Sequence, residues 1–336
     1  TVNKKLLALL PPSALLISFL LVSDASAQRP RTPRPAASAP NVLNQLPESD
    51  AVIFIDVRRL LNEAIPGVFA GNPAKLAQVN TQIDKFKSQT GVDARSFERL
   101  AVGMRYTYPS PGVTKVESIA IARGAFNNAT LAGAGRAAAS GKFREQKYKS
   151  ATIYVFTVAE QVRLFGLFDL RINELAVSVL EPNTLALGSL KTVQAAIDAR
   201  VGKRASNELI ALATKDPTAL IGFGGNVSPA VWRNLGADMF SKDISAIKQA
   251  YGSFAIRGLN FSVFMAARTS TPAQARSLND TVSGLTQLAP MFVGRMPELR
   301  RKLAQSALDN LKVSVQGSEL QISTEVSQTD VAAVIR

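Results

Sequence analysis

Two stretches of this chain, "LAVSVLEPNTLALGS" (Leu175 to Ser189) and "LKVSVQGSELQIST" (Leu311 to Thr324), repeat one alternation of apolar and polar residues around a short turn. Leu175, Val177, Ser178 and Val179 align with Leu311, Val313, Ser314 and Val315. Past the turns "LEPN" and "QGS", Leu185 and Leu187 align with Leu320 and Ile322. Alternation with period two on both sides of a turn rich in Pro, Asn or Gly predicts a β-hairpin. After each hairpin, apolar residues recur at helical spacing: Val193 and Ile197 in the first stretch, Val331 and Ile335 in the second. A short helix is therefore predicted after both.

The correspondence extends upstream. "DAVIFIDVRRLLNEA" at Asp50 matches "TALIGFGGNVSPAVW" at Thr218, each an apolar strand running into a helix. The segments from Arg99 and from Ser253 each read as a strand pair followed by a polar cap and a helix, with Asn127 or Asn128 as cap in the first and Thr271-Pro272 in the second. The order strand, helices, hairpin, helix, hairpin, helix thus occurs twice. The fold expected is α+β: two degenerate repeats, 44–204 and 205–336, forming a largely antiparallel sheet with helices packed mainly on one face. The first copy carries additional strand material at Ala151 to Val158 and Arg163 to Ile172.

The N-terminal region predicts export. Lys4 and Lys5 precede an almost wholly apolar run from Leu6 to Val22, and Ala25-Ser26-Ala27 forms a small-x-small cleavage pattern. Residues 1–27 read as a signal peptide, leaving no transmembrane segment after cleavage and a periplasmic or secreted protein. Pro11-Pro12 interrupts the apolar run, which argues against a retained membrane anchor. Residues 28–43 are rich in Pro, Ala and Arg and read as a flexible linker.

The chain of 336 residues contains no Cys and no His. Disulfides, thiol nucleophiles, imidazole-based triads and His/Cys metal sites are thereby excluded. No D-x-D-x-D run suggests calcium, and no metal or cofactor is expected. The formal net charge is +14. The basic residues are not interleaved with aromatics, so nucleic acid is not expected, and export points instead to an anionic envelope component or an acidic protein.

Five motifs merit a structural test. Gly188-Ser189 sits between strand and helix, where a phosphate loop would lie, but a single glycine with Ser aligned in the other copy reads as a turn with Ser189 as N-cap. Ser245 and Lys248 fit the S-x-x-K pattern, in which a Lys one helical turn from a Ser deprotonates it. Gly222, Gly224, Gly225 and Asn226 close a strand where the backbone could approach a ligand, with a bulge or tight turn as the structural reading. Arg295, Arg300, Arg301 and Lys302 form a basic stripe suited to polyanions, or else the solvated side of a helix. Gly133 to Ala138 matches G-x-G-x-x-A, but inside an Ala-rich helical stretch rather than after a strand, which favours close helix packing.

"LPESDAVIFIDV", "TGVDARSFERLAVGM" and "EPNTLALGSLKTVQAAIDA" together resemble exported bacterial proteins of the DUF3352-like type (a domain of unknown function). The resemblance covers most of the first copy and rests on strand ends, turns and caps. It implies an envelope or secreted location and brings no catalytic residues. The function expected is a non-catalytic binding or scaffolding protein. The alternative is a Ser/Lys or carboxylate hydrolase with a cleft between the repeats. A carrier of apolar ligands would require a large apolar cavity between sheet and helices.

Overall fold

Ala51–Ile55 reads AVIFI, apolar at every position, so this strand must be covered on both sides. The computed structural model, which describes residues 40–90, 93–110, 113–125, 133, 143–157, 162–164, 168–170, 174–228 and 242–334, places it near the middle of a large sheet. The strands are β1 (Ala51–Ile55), β2 (Phe97–Ser110), β3 (Val113–Gly124), β4 (Phe143–Tyr148), β5 (Ala151–Thr157), β6 (Val162–Leu164) and β7 (Phe168–Leu170). They continue with β8 (Glu174–Glu181), β9 (Thr184–Gly188), β10 (Ala219–Asn226), β11 (Ile247–Arg257), β12 (Asn260–Thr269), β13 (Lys312–Gln316) and β14 (Glu319–Ser327). Twelve join in the order β13-β14-β12-β11-β10-β1-β2-β3-β9-β8-β5-β4, and β6 and β7 form a separate pair. Every pairing is antiparallel.

The order reads alike in both directions from the central β1–β10 pair. Ile53 lies opposite Phe223. Outward from Ile53 the facing residues are Val102, Ala120, Leu187 and Val177. Outward from Phe223 they are Gly252, Met265, Ile322 and Val313. Val177 and Leu187 are thus placed as Val313 and Ile322 are, in the register that the alternation predicts. Strands β5 and β4 extend the sheet beyond β8. The two-residue turn of the second hairpin places Gly317 at φ +58, a left-handed conformation that a side chain would oppose.

Among the described helices are α1 (Pro73–Thr90), α2 (Leu190–Asp198), α3 (Asn207–Ala213), α4 (Pro272–Val293), α5 (Glu298–Asp309) and α6 (Gln328–Val334). They cover both faces of the sheet, which corrects the expectation of helices packed mainly on one face. Val52 and Phe54 enter a core with Val193 and Ile197 of α2 and Leu209 and Leu212 of α3. The intervening Ile53 and Ile55 pack against a second core, built from Leu60, Ala64, Val68 and Phe69 of the helical stretch after β1, Leu303 of α5 and Val331 of α6. Each fully buried Leu or Phe contributes about 1.5–3 kcal/mol. Phe254 and Phe261 stack at 4.9 Å between ring centres and lock the β11–β12 hairpin to the second core.

Two further expectations are corrected. Val42 and Leu43, placed at the end of the flexible linker, are fully buried, so the folded body begins before residue 44. The helices after the two hairpins are not equivalent. Gly188 ends β9 and α2 follows at once, whereas its register counterpart Ser323 lies inside β14, which continues to Ser327 before α6 begins. Consequently α2 covers the first core and α6 the second. The signal peptide, most of the linker, residues 134–138 and the helix expected after Ser228 lie outside the described residues.

Candidate functional site

Gly222 and Gly224 of "IGFGGN" face helix α3. A Cβ on Gly222 would lie 1.9 Å from the carbonyl oxygen of Ala213, and one on Gly224 would lie 2.8 Å from the Cβ of Leu212. One on Gly225 would meet the Cβ of Ala51 at 2.9 Å. These residues let a helix and a neighbouring strand approach, and that contact occupies the space a ligand would need. Asn226 accepts a hydrogen bond from Gln249 Nε2 at 3.0 Å.

Ser245 and Lys248 do not share a helix. Ser245 ends the short helix Lys242–Ser245, and Lys248 lies on β11, which begins at Ile247. The one-turn juxtaposition that S-x-x-K catalysis requires is therefore missing, because the strand starts too early. Gly188-Ser189 behaves as a cap: the Ser189 hydroxyl accepts from the Thr192 amide at 3.2 Å, and Thr192 Oγ1 occupies the space beside Gly188. Among the described residues no cluster of three or more carboxylates could hold a metal ion. Arg295, Arg300, Arg301 and Lys302 are all exposed around the start of α5, and no ion pair joins them to a described residue.

A different set of residues converges on the first-core side of β11, β12, β13 and β14, next to α3. Here a cavity of about 580 Å³ is floored by Ser253, Ser262, Phe264 and Ser323 and rimmed by Lys215, Asp216, Arg257, Lys312 and Glu325. The alternation of β13 and β14 creates this surface: Lys312, Ser314 and Gln316 pair with Ser323, Gln321 and Glu319 on one side. On the other side Val313, Val315, Leu320 and Ile322 are turned toward α4 and α5.

One wall is a charged network. Lys215 Nζ donates to the Tyr251 hydroxyl at 2.5 Å, and Tyr251 donates to Glu319 Oε2 at 2.7 Å. Arg268 Nε donates to Glu319 Oε1 at 2.5 Å. Burial, followed by the hydrogen bond to Glu319 and its charge, pushes the Tyr251 phenol well above its ordinary range. Burial opposes ionisation of Glu319, but hydrogen bonds from Arg268 and Tyr251 outweigh it and hold the carboxyl below its ordinary range. Tyr251 therefore remains protonated at neutral pH and is no base.

Within the cleft, the hydroxyl of Ser253 donates to Asp216 Oδ2 at 3.1 Å, a serine paired with a carboxylate. Burial acts to raise Asp216, yet bonds from Thr218 and Ser253 and the charge of Arg257 bring it below the ordinary range. That shift makes the carboxylate a weaker base than an ordinary aspartate. The cleft offers hydrogen-bonding groups and charges of both signs. Its residues span Leu212 to Glu325 and carry no local motif. The alternate polar positions of β13 and β14 are the sequence signal that could have located it.

No protein-family model and no curated protein matches the chain. Among solved structures, crystal form III of TP0453 is 13% identical, with 88% of this chain and 97% of that chain covered and a TM-score of 0.45. Crystal form I of TP0453 is 12% identical, with 88% and 96% covered and a TM-score of 0.42.

Proposed function

We propose that this chain is a non-catalytic binding protein of the bacterial envelope, exported to the periplasm or beyond, and built from two degenerate copies of one α+β unit. The matched registers on either side of the Ile53–Phe223 pair support the duplication. Lys4, Lys5, the apolar run and Ala25-Ser26-Ala27 support export, as does the resemblance to DUF3352-like proteins. The binding role rests on one observation: the cleft beside Tyr251 gathers charged and hydroxyl side chains without an activated nucleophile. Its ligand is a polar molecule carrying charge, held by Lys215, Arg257 and Lys312 with the serine floor.

Native mass spectrometry of the protein purified from the exported fraction, without refolding, tests this reading. The expected result is a stoichiometric added mass that disappears when Ser262→Trp and Ser323→Trp fill the cleft. A wild-type protein of bare mass, or an adduct that survives both substitutions, would overturn it.

A further inference from the structure

Of the ten large apolar side chains exposed among the described residues, six fall within residues 285–299: Leu285, Leu288, Met291, Phe292, Met296 and Leu299. Helix α4 buries Ala275, Leu278 and, near its C-terminal end, Val293, while Leu285, Leu288 and Phe292 form a second apolar stripe at helical spacing beside that buried side, and it is left uncovered. There the exposures are 50%, 50% and 62%, and Met291 beside them reaches 63%. Helix α4 is therefore apolar on more of its circumference than the fold covers. From Thr281 to Gly294 the chain carries no charged residue. Directly after it come Arg295, Arg300, Arg301 and Lys302, exposed and opposed in this turn only by Glu298.

An uncovered apolar stripe of this kind marks a contact surface. A soluble polyanion would engage the four cations but leave the stripe in water. A surface that takes both is a bilayer with anionic headgroups, in which apolar residues enter the headgroup–acyl boundary and Arg and Lys pair with phosphates. We propose that the α4–α5 elbow docks this protein onto an anionic lipid surface, with Leu288, Met291 and Phe292 inserted and Arg295, Arg300, Arg301 and Lys302 at the headgroups. The proposal rests on the envelope location given above, for access to a membrane, and is independent of the cleft.

Because the chain has no Cys, one thiol-reactive dye can be placed at will. Full-length protein labelled at Met291→Cys should show a blue shift with vesicles of phosphatidylglycerol and phosphatidylcholine, and little with phosphatidylcholine alone. The same dye at Val201→Cys, another exposed position, should not respond. In co-sedimentation, Arg300→Glu with Arg301→Glu and Lys302→Glu should weaken binding at least about tenfold, as should Leu288→Asp with Phe292→Asp, with thermal unfolding of both variants unchanged. The inference is overturned if anionic vesicles give no shift at residue 291. It is equally overturned if the aspartate variant binds as wild type, or if it converts a dimer to a monomer and so identifies a second copy as the occupant. A protein that binds vesicles yet carries no cleft adduct would refute the cleft reading alone.

Discussion

The same side of the sheet is treated in opposite ways in its two halves. Beneath α2 the first half places Ala176, Ala186 and Gly188, and the two alanines are wholly buried. At the matching register positions the second half places Lys312, Gln321 and Ser323, which no helix covers to the same extent. Ala101, fully buried in the first half, corresponds to Tyr251 with its network to Lys215 and Glu319. The difference begins with the length of one strand. β9 stops after five residues and sends α2 back over the first core, while β14 runs for nine and delivers α6 to the opposite face. One architecture thus yields a closed half that stores packing energy and an open half that presents side chains.

The hardest test of this comparison strikes the seam between the halves. Gly222→Ala would drive a methyl into the Ala213 carbonyl and separate α3 from β10, at a cost of about 3 kcal/mol or more in urea denaturation. A sharper contrast sets the matched positions against each other. Gly188→Ala crowds Thr192 Oγ1 at 2.5 Å and the Ser118 carbonyl at 3.1 Å, so it should lose about 1–3 kcal/mol. Ser323→Ala, on the open side, should stay within about 0.5 kcal/mol. Equal losses at the two sites would erase the distinction.

The cap of α4 should be worth less. Thr271 accepts from the Gln274 amide while the Gln274 side chain accepts from the Thr271 amide, and Thr271→Ala should lower stability by about 1 kcal/mol. The smallest effect concerns pH. Glu319 titrates below its ordinary 4.5 when folded, so its stabilisation is complete above that value and is lost as pH falls through the lower folded value. Glu319→Gln should flatten the acid limb of a stability–pH curve while leaving the shape of the curve above neutrality unchanged. An unaltered acid limb would remove Glu319 from the account.

The second hairpin was legible because its alternation is strict: Val313, Val315, Leu320 and Ile322 could face only one way. Strand β1 also announced its double burial through five successive apolar residues, although the helices were expected mainly on one face. The length of β14 was harder to read. "STEVSQTD" alternates weakly, and nothing local distinguishes a strand that ends at Ser323 from one that continues to Ser327. That ambiguity made α2 and α6 look equivalent, and with it the open side disappeared from view. The cleft residues were individually ordinary, since Lys215, Tyr251, Arg268 and Glu319 meet only through long-range pairing. Gly222 and Gly224 of "IGFGGN" were visible, but whether a helix or a ligand filled their space depended on α3, nine residues and more upstream.

Accessibility separates the two halves, and two aligned serines measure it directly. Ser178 is fully buried and donates to the Thr152 carbonyl at 2.9 Å, whereas its counterpart Ser314 is exposed on β13. In a chain without cysteine, Ser178→Cys and Ser314→Cys each provide one thiol whose reaction rate with a disulfide reagent reports cover at that point. The account predicts a Ser314→Cys thiol that reacts like a free one and a Ser178→Cys thiol that reacts only as the protein unfolds. Comparable rates at the two positions, whether both fast or both slow, would contradict it.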